Sequence, residues 1–366
     1  MNIVCSQKEL SNKINIVQKA ISSKTTMPIL KGIYLEASNG KLKLIGNDLE
    51  MGIETHMDCE VTKEGKAVID SRLFGEIIKK LPESFIEIEL DDENNITISC
   101  EHSEFKLRAM DSMEYPQLPS VEENEYYEIE ESVFKDMIKQ TVFAISQDET
   151  KPLLMGELLE INDSKMSLVA IDGYRLAIKS GDIKNSIGNN KVVIPGKTLN
   201  EVNRILSLDD KVFKMALTSK HALFLVDDTK IITRLLEGEF LNYKQIIPSE
   251  YNLKVKVNTK SLLRSIERAS LLAKEGKNNL VKFLIKDNVL VITSNSEIGN
   301  VHEEVNIELE GEDLEIAFNS RYLIEVLKIV ESEEIVMEFS TNVSPCIIKN
   351  VEFDDYIYLL LPVRIN

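Results

Sequence analysis

The 366-residue chain has no tryptophan, an aromatic content of 6%, and only four cysteines and four histidines. The cysteines are far apart and form no Cys-x-x-Cys pair, so we expect reduced thiols rather than disulfides or a zinc site. The histidines match no HExxH motif or other metal-binding spacing. These shortages argue against a zinc protein or a disulfide scaffold, and we expect no bound metal and no cofactor.

Motifs of the common enzyme families are also missing. The sequence contains no GxGxxG, GxxxxGK(S/T) or GxSxG segment. It shows no signal peptide and no apolar run near the roughly 18 residues of a spanning helix, so we expect a soluble, cytoplasmic protein without a membrane partner. We predict no catalytic residues. Acidic side chains could still assemble in three dimensions, so a metal-dependent nucleic-acid enzyme stays an alternative.

A repeat of about 124 residues runs through the chain. Two columns of charged residues fall at spacings of 124 or 125: Glu76, Glu201 and Glu325, and Lys79, Arg204 and Lys328. The apolar positions around them follow the helical period of three to four residues. Chance similarity between common strand–helix units is the alternative, but the shared register over two helices and one turn argues against it.

Each repeat is predicted to be an α+β unit with two helices and several strands. Alternating apolar residues, as in 85–90, indicate half-buried strands. The six predicted helices are 7–22, 71–81, 132–146, 197–206, 260–274 and 320–330. The predicted N-caps of the second helices are Asp70 or Ser71, Gly196 and Asn319. The predicted domains are 1–122, 126–248 and 250–366, with an acidic linker at 120–125.

Positive charge is concentrated in the predicted helices. The whole chain carries a formal charge of −18, yet the six helices contain sixteen lysines and arginines against six acidic residues. If the helices form one face, that face is basic and attracts DNA phosphates through salt-dependent contacts that do not read bases. The acidic remainder would repel DNA. The plainer alternative is a solvated basic face on each separate helix.

Five segments, in order along the chain, carry a resemblance to a known family. They are MPILKGI at 27–33, GNDLEM at 46–51, AIDGYRLA at 170–177, GEFLNY at 238–243 and LPVR at 361–364. With the three repeats, they make the whole chain similar to the bacterial DNA polymerase III β subunits, the sliding clamps. The resemblance implies an α+β fold of three repeated clamp domains (the DNA clamp fold). It also implies that two subunits form a six-domain closed ring, with helices inside and β-sheets outside.

The resemblance implies a non-catalytic processivity factor for DNA replication. A head-to-tail homodimer would encircle double-stranded DNA without reading its sequence and would slide along it. A peptide-binding pocket would tether the catalytic subunit of the replicative DNA polymerase. The clamp loader, repair polymerases, ligase and mismatch-repair proteins are the further expected partners. The alternative is an acidic multidomain scaffold that binds proteins without encircling DNA.

Three sets of residues follow from the helix charges and the resemblance. Candidate DNA contacts are Lys24, Arg72, Lys79, Lys80, Lys135, Lys139, Lys151, Lys197, Arg204, Arg264, Arg268, Arg321 and Lys328. The implied peptide pocket comprises Leu154, Ile171, Gly173, Tyr174, Arg175, Leu176, Leu241, Ile246, Val343, Pro345, Leu361, Pro362, Val363 and Arg364, with polar groups on its rim. At the implied dimer interface, Phe105 would face Leu271 and Leu272 of the other subunit. The family's pattern is not matched at Leu241, Gln245 and Pro345.

Overall fold

The computed structural model describes residues 1–121, 125–185, 187–275, 279–351 and 353–364. The chain separates into two compact units, Met1–Ser132 with Glu201–Leu235, and Val133–Asn200 with Leu236–Asn366. We call them the first and the second unit. Residues 122–124 of the predicted acidic linker lie outside the described residues.

Six α-helices are found in the described part of the chain. They are α1 Gln7–Val17, α2 Ser71–Lys80, α3 Glu131–Thr141, α4 Gly196–Ile205, α5 Thr259–Ala273 and α6 Ser320–Leu327. Short 3-10 helices cover Gln18–Ala20, Pro28–Lys31, Ser112–Glu114, Val142–Ala144, Pro152–Met155 and Tyr243–Gln245. The predicted helices are therefore confirmed, with ends that differ by a few residues. None of these helices is long and apolar enough to cross a membrane.

Strands make up most of the remaining described structure. The first ten are β1 Asn2–Ser6, β2 Gly32–Ser38, β3 Lys41–Asn47, β4 Met51–Asp58, β5 Glu60–Lys63, β6 Gly65–Asp70, β7 Phe85–Leu90, β8 Asn95–Cys100, β9 Ser103–Arg108 and β10 Tyr127–Glu130. The next seven are β11 Gly156–Asn162, β12 Lys165–Ile171, β13 Arg175–Asp182, β14 Asn190–Pro195, β15 Val212–Leu217, β16 His221–Val226 and β17 Thr229–Arg234. The last nine are β18 Leu253–Asn258, β19 Leu280–Lys286, β20 Val289–Ser296, β21 Gly299–Asn306, β22 Glu308–Gly311, β23 Leu314–Asn319, β24 Glu334–Phe339, β25 Cys346–Asn350 and β26 Tyr356–Leu360.

Side-chain caps explain where several helices begin. Asp70 accepts a hydrogen bond from the N–H of Leu73 at 2.8 Å at the start of α2. Asn319 caps α6 in the same way. Such a cap satisfies one of the N–H groups that the first helical turn leaves without a partner. Gly196, a predicted cap, is instead the first helical residue of α4, a difference of one position.

The first unit contains two antiparallel sheets. Their strand orders are β5-β1-β7-β8-β9 and β10-β15-β16-β17-β4-β3-β2-β6. Helices α1 and α2 pack on each other, and α1 also packs on β3 and β4 through the buried side chains of Leu10, Ile14 and Val17. In the larger sheet β4 pairs with β17, from Thr55 opposite Thr229 to Met51 opposite Thr233.

The second unit also contains two antiparallel sheets. Their orders are β14-β11-β12-β13-β26-β25-β24-β18-β22 and β21-β20-β19-β23. Helices α5 and α6 pack on each other, and α5 lies on β19, β20 and β21. In the larger sheet β13 pairs with β26, from Arg175 opposite Leu360 to Lys179 opposite Tyr356.

The strand pairs β4–β17 and β13–β26 explain why a chain with three repeats forms two compact units rather than three. Each pair joins the end of one repeat to the repeat before it, and continuous main-chain hydrogen bonding makes one sheet of the two parts. The middle repeat therefore contributes β10 and β15–β17 to one sheet and β11–β14 to another. The predicted domain limits remain predictions.

Candidate functional site

The turn between β12 and β13 is fixed by the carboxylate of Asp172. Its Oδ1 accepts hydrogen bonds from the backbone N–H groups of Tyr174, at 2.8 Å, and Arg175, at 3.1 Å. Gly173 has a φ of +96°, a conformation that residues with a Cβ rarely adopt. The turn leaves the Tyr174 side chain 62% exposed, so it presents an aromatic ring to solvent.

Arg175 is buried, with 6% of its surface exposed. Its Nε donates to Asp172 Oδ2 at 2.9 Å, its Nη2 donates to the Phe143 carbonyl at 2.7 Å, and its Nη1 donates to Glu325. The guanidinium carbon lies 4.5 Å from the ring centroid of Tyr322. A buried cation needs such pairing. Arg175 therefore holds the turn from inside, and its role in the predicted pocket stays a prediction.

An apolar floor lies beside this turn. Ile171 and Leu176 are buried and pack in one cluster with Phe240 and Tyr243, and the half-buried Leu154 packs against that cluster. The hydroxyl of Tyr243 donates to a carboxylate oxygen of Glu160 at 2.6 Å, which satisfies its polar end. These contacts bring together Leu154, Ile171 and Leu176 of the predicted pocket with Phe240 and Tyr243, which were not among its predicted residues.

Four residues of the predicted pocket are exposed apolar side chains in the same unit. Leu241 is 49% exposed, Ile246 38%, Val343 63% and Leu361 37%. The backbone N–H of Leu361 donates to the carbonyl of Tyr174 at 2.9 Å, so the segment after β26 runs along the turn. Exposed apolar groups of this kind typically mark a surface that binds another molecule. We call the surface formed by the Asp172 turn, the apolar floor with Leu154, and the segment that begins at Leu361 the groove.

The segment after β26 is anchored on β23, the strand that precedes α6. The N–H of Val363 donates to the carbonyl of Ala317 at 2.8 Å, while Pro362 is half-buried and Arg364 is exposed. Pro345 lines a separate cavity of about 70 Å³ with Pro248. The predicted peptide-pocket residues therefore all lie in the second unit, but Pro345 also lines this separate cavity.

Tyr322 was missed by sequence reasoning. Its ring stacks on that of Tyr174, with centroids 6.2 Å apart, and it also covers the guanidinium of Arg175. Its only sequence signal is an aromatic residue in the first turn of α6. Glu325 and Phe143 were also missed as groups that hold Arg175, because they lie 150 and 32 residues away from it in the chain.

The candidate DNA contacts are mostly accessible. Lys135 is half-buried, and the other twelve residues are exposed. Several make surface ion pairs: Arg72 with Glu76, Lys139 with Glu331, Lys151 with Asp148, Arg204 with Glu201, Arg268 with Glu303, Arg321 with Glu325 and Lys328 with Glu267. Exposed pairs contribute about 0–1 kcal/mol each. A phosphate can therefore compete for these cations.

Each unit also has a sheet edge with apolar residues near it. In the first unit β9 is an edge strand and Phe105 is 38% exposed. In the second unit β21 is an edge strand, and near the end of α5 Leu271 is 66% exposed while Leu272 is half-buried. An edge strand offers unpaired N–H and C=O groups to another strand.

Comparison with known proteins assigns the family. Models of the N-terminal, central and C-terminal domains of the DNA polymerase III beta subunit match residues 1–119, 128–242 and 244–364. The chain belongs to this family. The beta sliding clamp of Halalkalibacterium halodurans is 38% identical over 378 residues, with 100% of both chains covered. The DNA polymerase sliding clamp structure from Bacillus subtilis is 35% identical, with a TM-score of 0.97 and 100% of both chains covered. A putative DNA polymerase III beta subunit from Eubacterium rectale is 36% identical, with a TM-score of 0.96 and the same coverage.

The predicted fold of three clamp domains and the predicted function as a DNA polymerase processivity factor are confirmed by these matches. The scaffold alternative is the less supported of the two. A sliding clamp is an accessory subunit of the polymerase. The individual DNA, groove and interface residues stay predictions, as does a cytoplasmic location.

Proposed function

We propose that two copies of this clamp close head to tail into a ring around duplex DNA. The edge strands β9 and β21 support this arrangement, because a strand from each copy could pair across the interface. Their net charges are opposite: β9 carries Lys106 and Arg108 against one acidic residue, Glu104, and β21 carries Glu303 and Glu304. Two identical contacts of this heterologous kind close a ring if the rotation between copies is two-fold.

Exposed cations on the helices would contact the DNA that passes through the ring. Of the candidates on α2, the side chains of Arg72, Lys79 and Lys80 are all exposed. Contacts of lysine and arginine to phosphates carry no sequence information, so they allow the ring to move along the duplex. The observation that carries the proposal is the concentration of basic residues on the helices of an otherwise acidic chain.

The groove would hold a short peptide of the replicative polymerase or the clamp loader, with leucine and phenylalanine anchors. The proposal is supported by the buried apolar floor at Ile171 and Leu176 and by exposed Leu361, which is hydrogen-bonded to the neighbouring turn, because such anchors require apolar pockets. Repair polymerases, ligase and mismatch-repair proteins would compete for the same groove. Leu241 replaces a rim proline of the family with a larger, 49% exposed side chain.

We also propose that the chain catalyses nothing itself and holds no metal. Within the ranges that the structure describes, no three His, Cys, Asp or Glu side chains are placed to hold a metal ion. Purified protein should therefore show no magnesium-dependent nuclease activity. A reproducible DNA-cleaving activity that co-purifies with the protein would contradict this.

A loading experiment tests the ring. Protein loaded on a nicked circular plasmid should stay bound during gel filtration and should be lost when the plasmid is cut once. Retention on the cut, unblocked DNA would contradict encirclement. The mass in solution should be twice the 41.5 kDa of the chain.

Charge reversal separates DNA contact from scaffolding. Reversing Lys79, Arg204 and Lys328 to glutamate should weaken DNA retention strongly. The matched control reverses three exposed lysines on strands, Lys41, Lys165 and Lys286, with the same change in net charge. If both triple variants lose DNA equally, the helices have no special role.

A further inference from the structure

Glu325 joins an exposed arginine to a buried one. Arg321 Nε donates to Glu325 Oε1 at 2.7 Å, and Arg175 Nη1 donates to Glu325 Oε2. The side chain of Arg321 is 72% exposed, that of Glu325 28% and that of Arg175 6%. Although burial alone would raise the pKa of Glu325, the hydrogen bonds from the two arginines lower it, so the carboxylate is charged at neutral pH.

Arg175 continues this chain of contacts into the groove. It holds Asp172 Oδ2, and Asp172 Oδ1 holds the backbone N–H of Tyr174. The carbonyl of Tyr174 accepts the N–H of Leu361 on the opposite side of the turn. Every step from Arg321 to the rim of the groove is therefore a direct hydrogen bond.

The equivalent glutamates of the other repeats have no such connection. Glu76 pairs with Arg72 on its own helix, and Glu201 pairs with Arg204 and Lys19. At the position equivalent to Arg175, the first repeat has Met51, which offers no charge to a carboxylate. Among the described residues of the two compared turns, the arginine link is thus specific to the turn that borders the groove.

We propose that Glu325 is a positioning residue that couples phosphate contact at Arg321 to the Asp172–Arg175 turn, so that the groove binds its peptide more tightly when the clamp is on DNA. This inference rests on the proposed function of the groove and of the basic helices. A phosphate competes with Glu325 for Arg321. Glu325 is then left to Arg175 alone, and Arg175 holds the turn more firmly.

A turn that is already held in its bound conformation costs less entropy on binding, which increases affinity. The coupling is reciprocal, so the peptide should increase affinity for DNA by the same factor. The Arg321–Glu325 pair is partly exposed, and such pairs contribute at most about 1 kcal/mol. We therefore expect the affinity to change about threefold, within the fivefold that this energy allows.

Peptide titrations with and without DNA test the coupling. The probe is a fluorescein-labelled hexapeptide ending in Leu-Phe, titrated by anisotropy into the full-length clamp, either free of DNA or loaded on a nicked circular plasmid. The wild-type clamp should bind the peptide about threefold more tightly on the plasmid. Glu325→Gln should give the same Kd in both conditions. The matched control Glu267→Gln removes a carboxylate that pairs with Lys328 at 2.9 Å but does not contact Arg175, and it should keep the wild-type ratio.

Arg321→Gln provides a second variant, which leaves the Glu325–Arg175 contact in place. Its Kd for the peptide should also be the same with and without DNA. The matched control Lys260→Gln, at an exposed cation of α5 outside the candidate DNA contacts, should keep the wild-type ratio. The inference would be overturned if the wild-type clamp bound the peptide with the same Kd with and without DNA. It would also be overturned if the difference between the two Kd values persisted in Glu325→Gln. Absence of peptide binding, or loss of the clamp from the uncut circle, in separate wild-type measurements would instead overturn the proposed function.

Discussion

Two turns of the molecule, residues 48–51 in the first unit and 172–175 in the second, have the same backbone structure. Asp48 and Asp172 each accept hydrogen bonds from the N–H groups two and three positions later, at distances between 2.8 and 3.1 Å. Both turns lie at the end of the strand pair that joins successive repeats. The repeat has therefore kept the scaffold on which the groove is built.

The side chains around the two turns differ. In the first unit, Leu118 packs against Gly52, and Leu30 is only 1% exposed. In the second unit, Leu154, which is 124 residues after Leu30, is half-buried and Leu361 is exposed. The side chain of Leu118 therefore fills the space beside Gly52 in the first unit, whereas Leu361, beside the turn of the second unit, is exposed.

Arg175→Ala should have the largest effect, because it leaves the partly buried carboxylates of Asp172 and Glu325 without their shared cation. Breaking a buried pair from one side costs about 3–5 kcal/mol. We expect a large fall in the midpoint of thermal unfolding and peptide binding weakened by about tenfold or more, while dimerisation is retained. Arg175→Lys should not restore binding, because an ammonium cannot reproduce the planar, three-sided contact.

The matched control for this prediction is Arg234→Ala. Arg234 is the exposed residue whose N–H bonds to the carbonyl of Glu50, as that of Leu361 bonds to Tyr174. Its loss should leave peptide affinity unchanged. Unchanged peptide affinity in Arg175→Ala would show that the turn does not position the groove.

Glu157 marks a second difference between the repeats, since the position 124 residues earlier is the buried Ile33. Burial raises the pKa of Glu157 from 4.5 to about 8, although a hydrogen bond from Thr141 opposes the shift. The unfolded chain loses this proton at lower pH than the folded one, so stability decreases as the pH rises from about 4.5 through 8. We expect a loss of about 4 kcal/mol over this interval.

Glu157→Gln keeps the shape and the Thr141 contact but cannot ionise. Its thermal midpoint should depend less on pH between 5 and 8 than that of the wild type and should be higher at pH 8. Glu128→Gln, at a half-buried position on β10, serves as the control. Parallel pH profiles for wild type and Glu157→Gln would show that Glu157 is charged in the folded protein.

Gly52→Leu tests whether the side chain of Leu118 fills the space beside Gly52 in the first unit. A Cβ at Gly52 would lie 2.2 Å from Leu118 Cδ2, whereas the equivalent residue in the second unit is the buried Leu176. Leu118 must move, and overpacking of this kind costs about 1–3 kcal/mol. The thermal midpoint should fall and should partly recover in the Gly52→Leu, Leu118→Ala double variant. No recovery would place the clash elsewhere.

The local features were predictable from sequence, and the long-range ones were not. Helix spacing and the Asp172–Gly173 turn depend on residues close in the chain, and both were found. The pairing of β13 with β26 depends on residues nearly 180 positions apart, so nothing local indicated that the middle repeat is shared between two units. The burial of Arg175 was missed for the same reason, because Glu325 lies 150 residues away.

The two turns also differ at their second residue, and this gives the smallest expected effect. Gly173 has a φ of +96°, and a Cβ added there would have no atom of the described residues within 4 Å. Leu49 adopts a φ of 75° and is 57% exposed. Gly173→Ala should therefore destabilise the second unit by about 1 kcal/mol through backbone strain alone. Leu49→Gly should relieve similar strain but increases the entropy of the unfolded chain, so its net effect should be within about 0.5 kcal/mol of zero. Thermal midpoints of the two variants check this, and a Gly173→Ala midpoint equal to that of the wild type would show that the turn tolerates a side chain without cost.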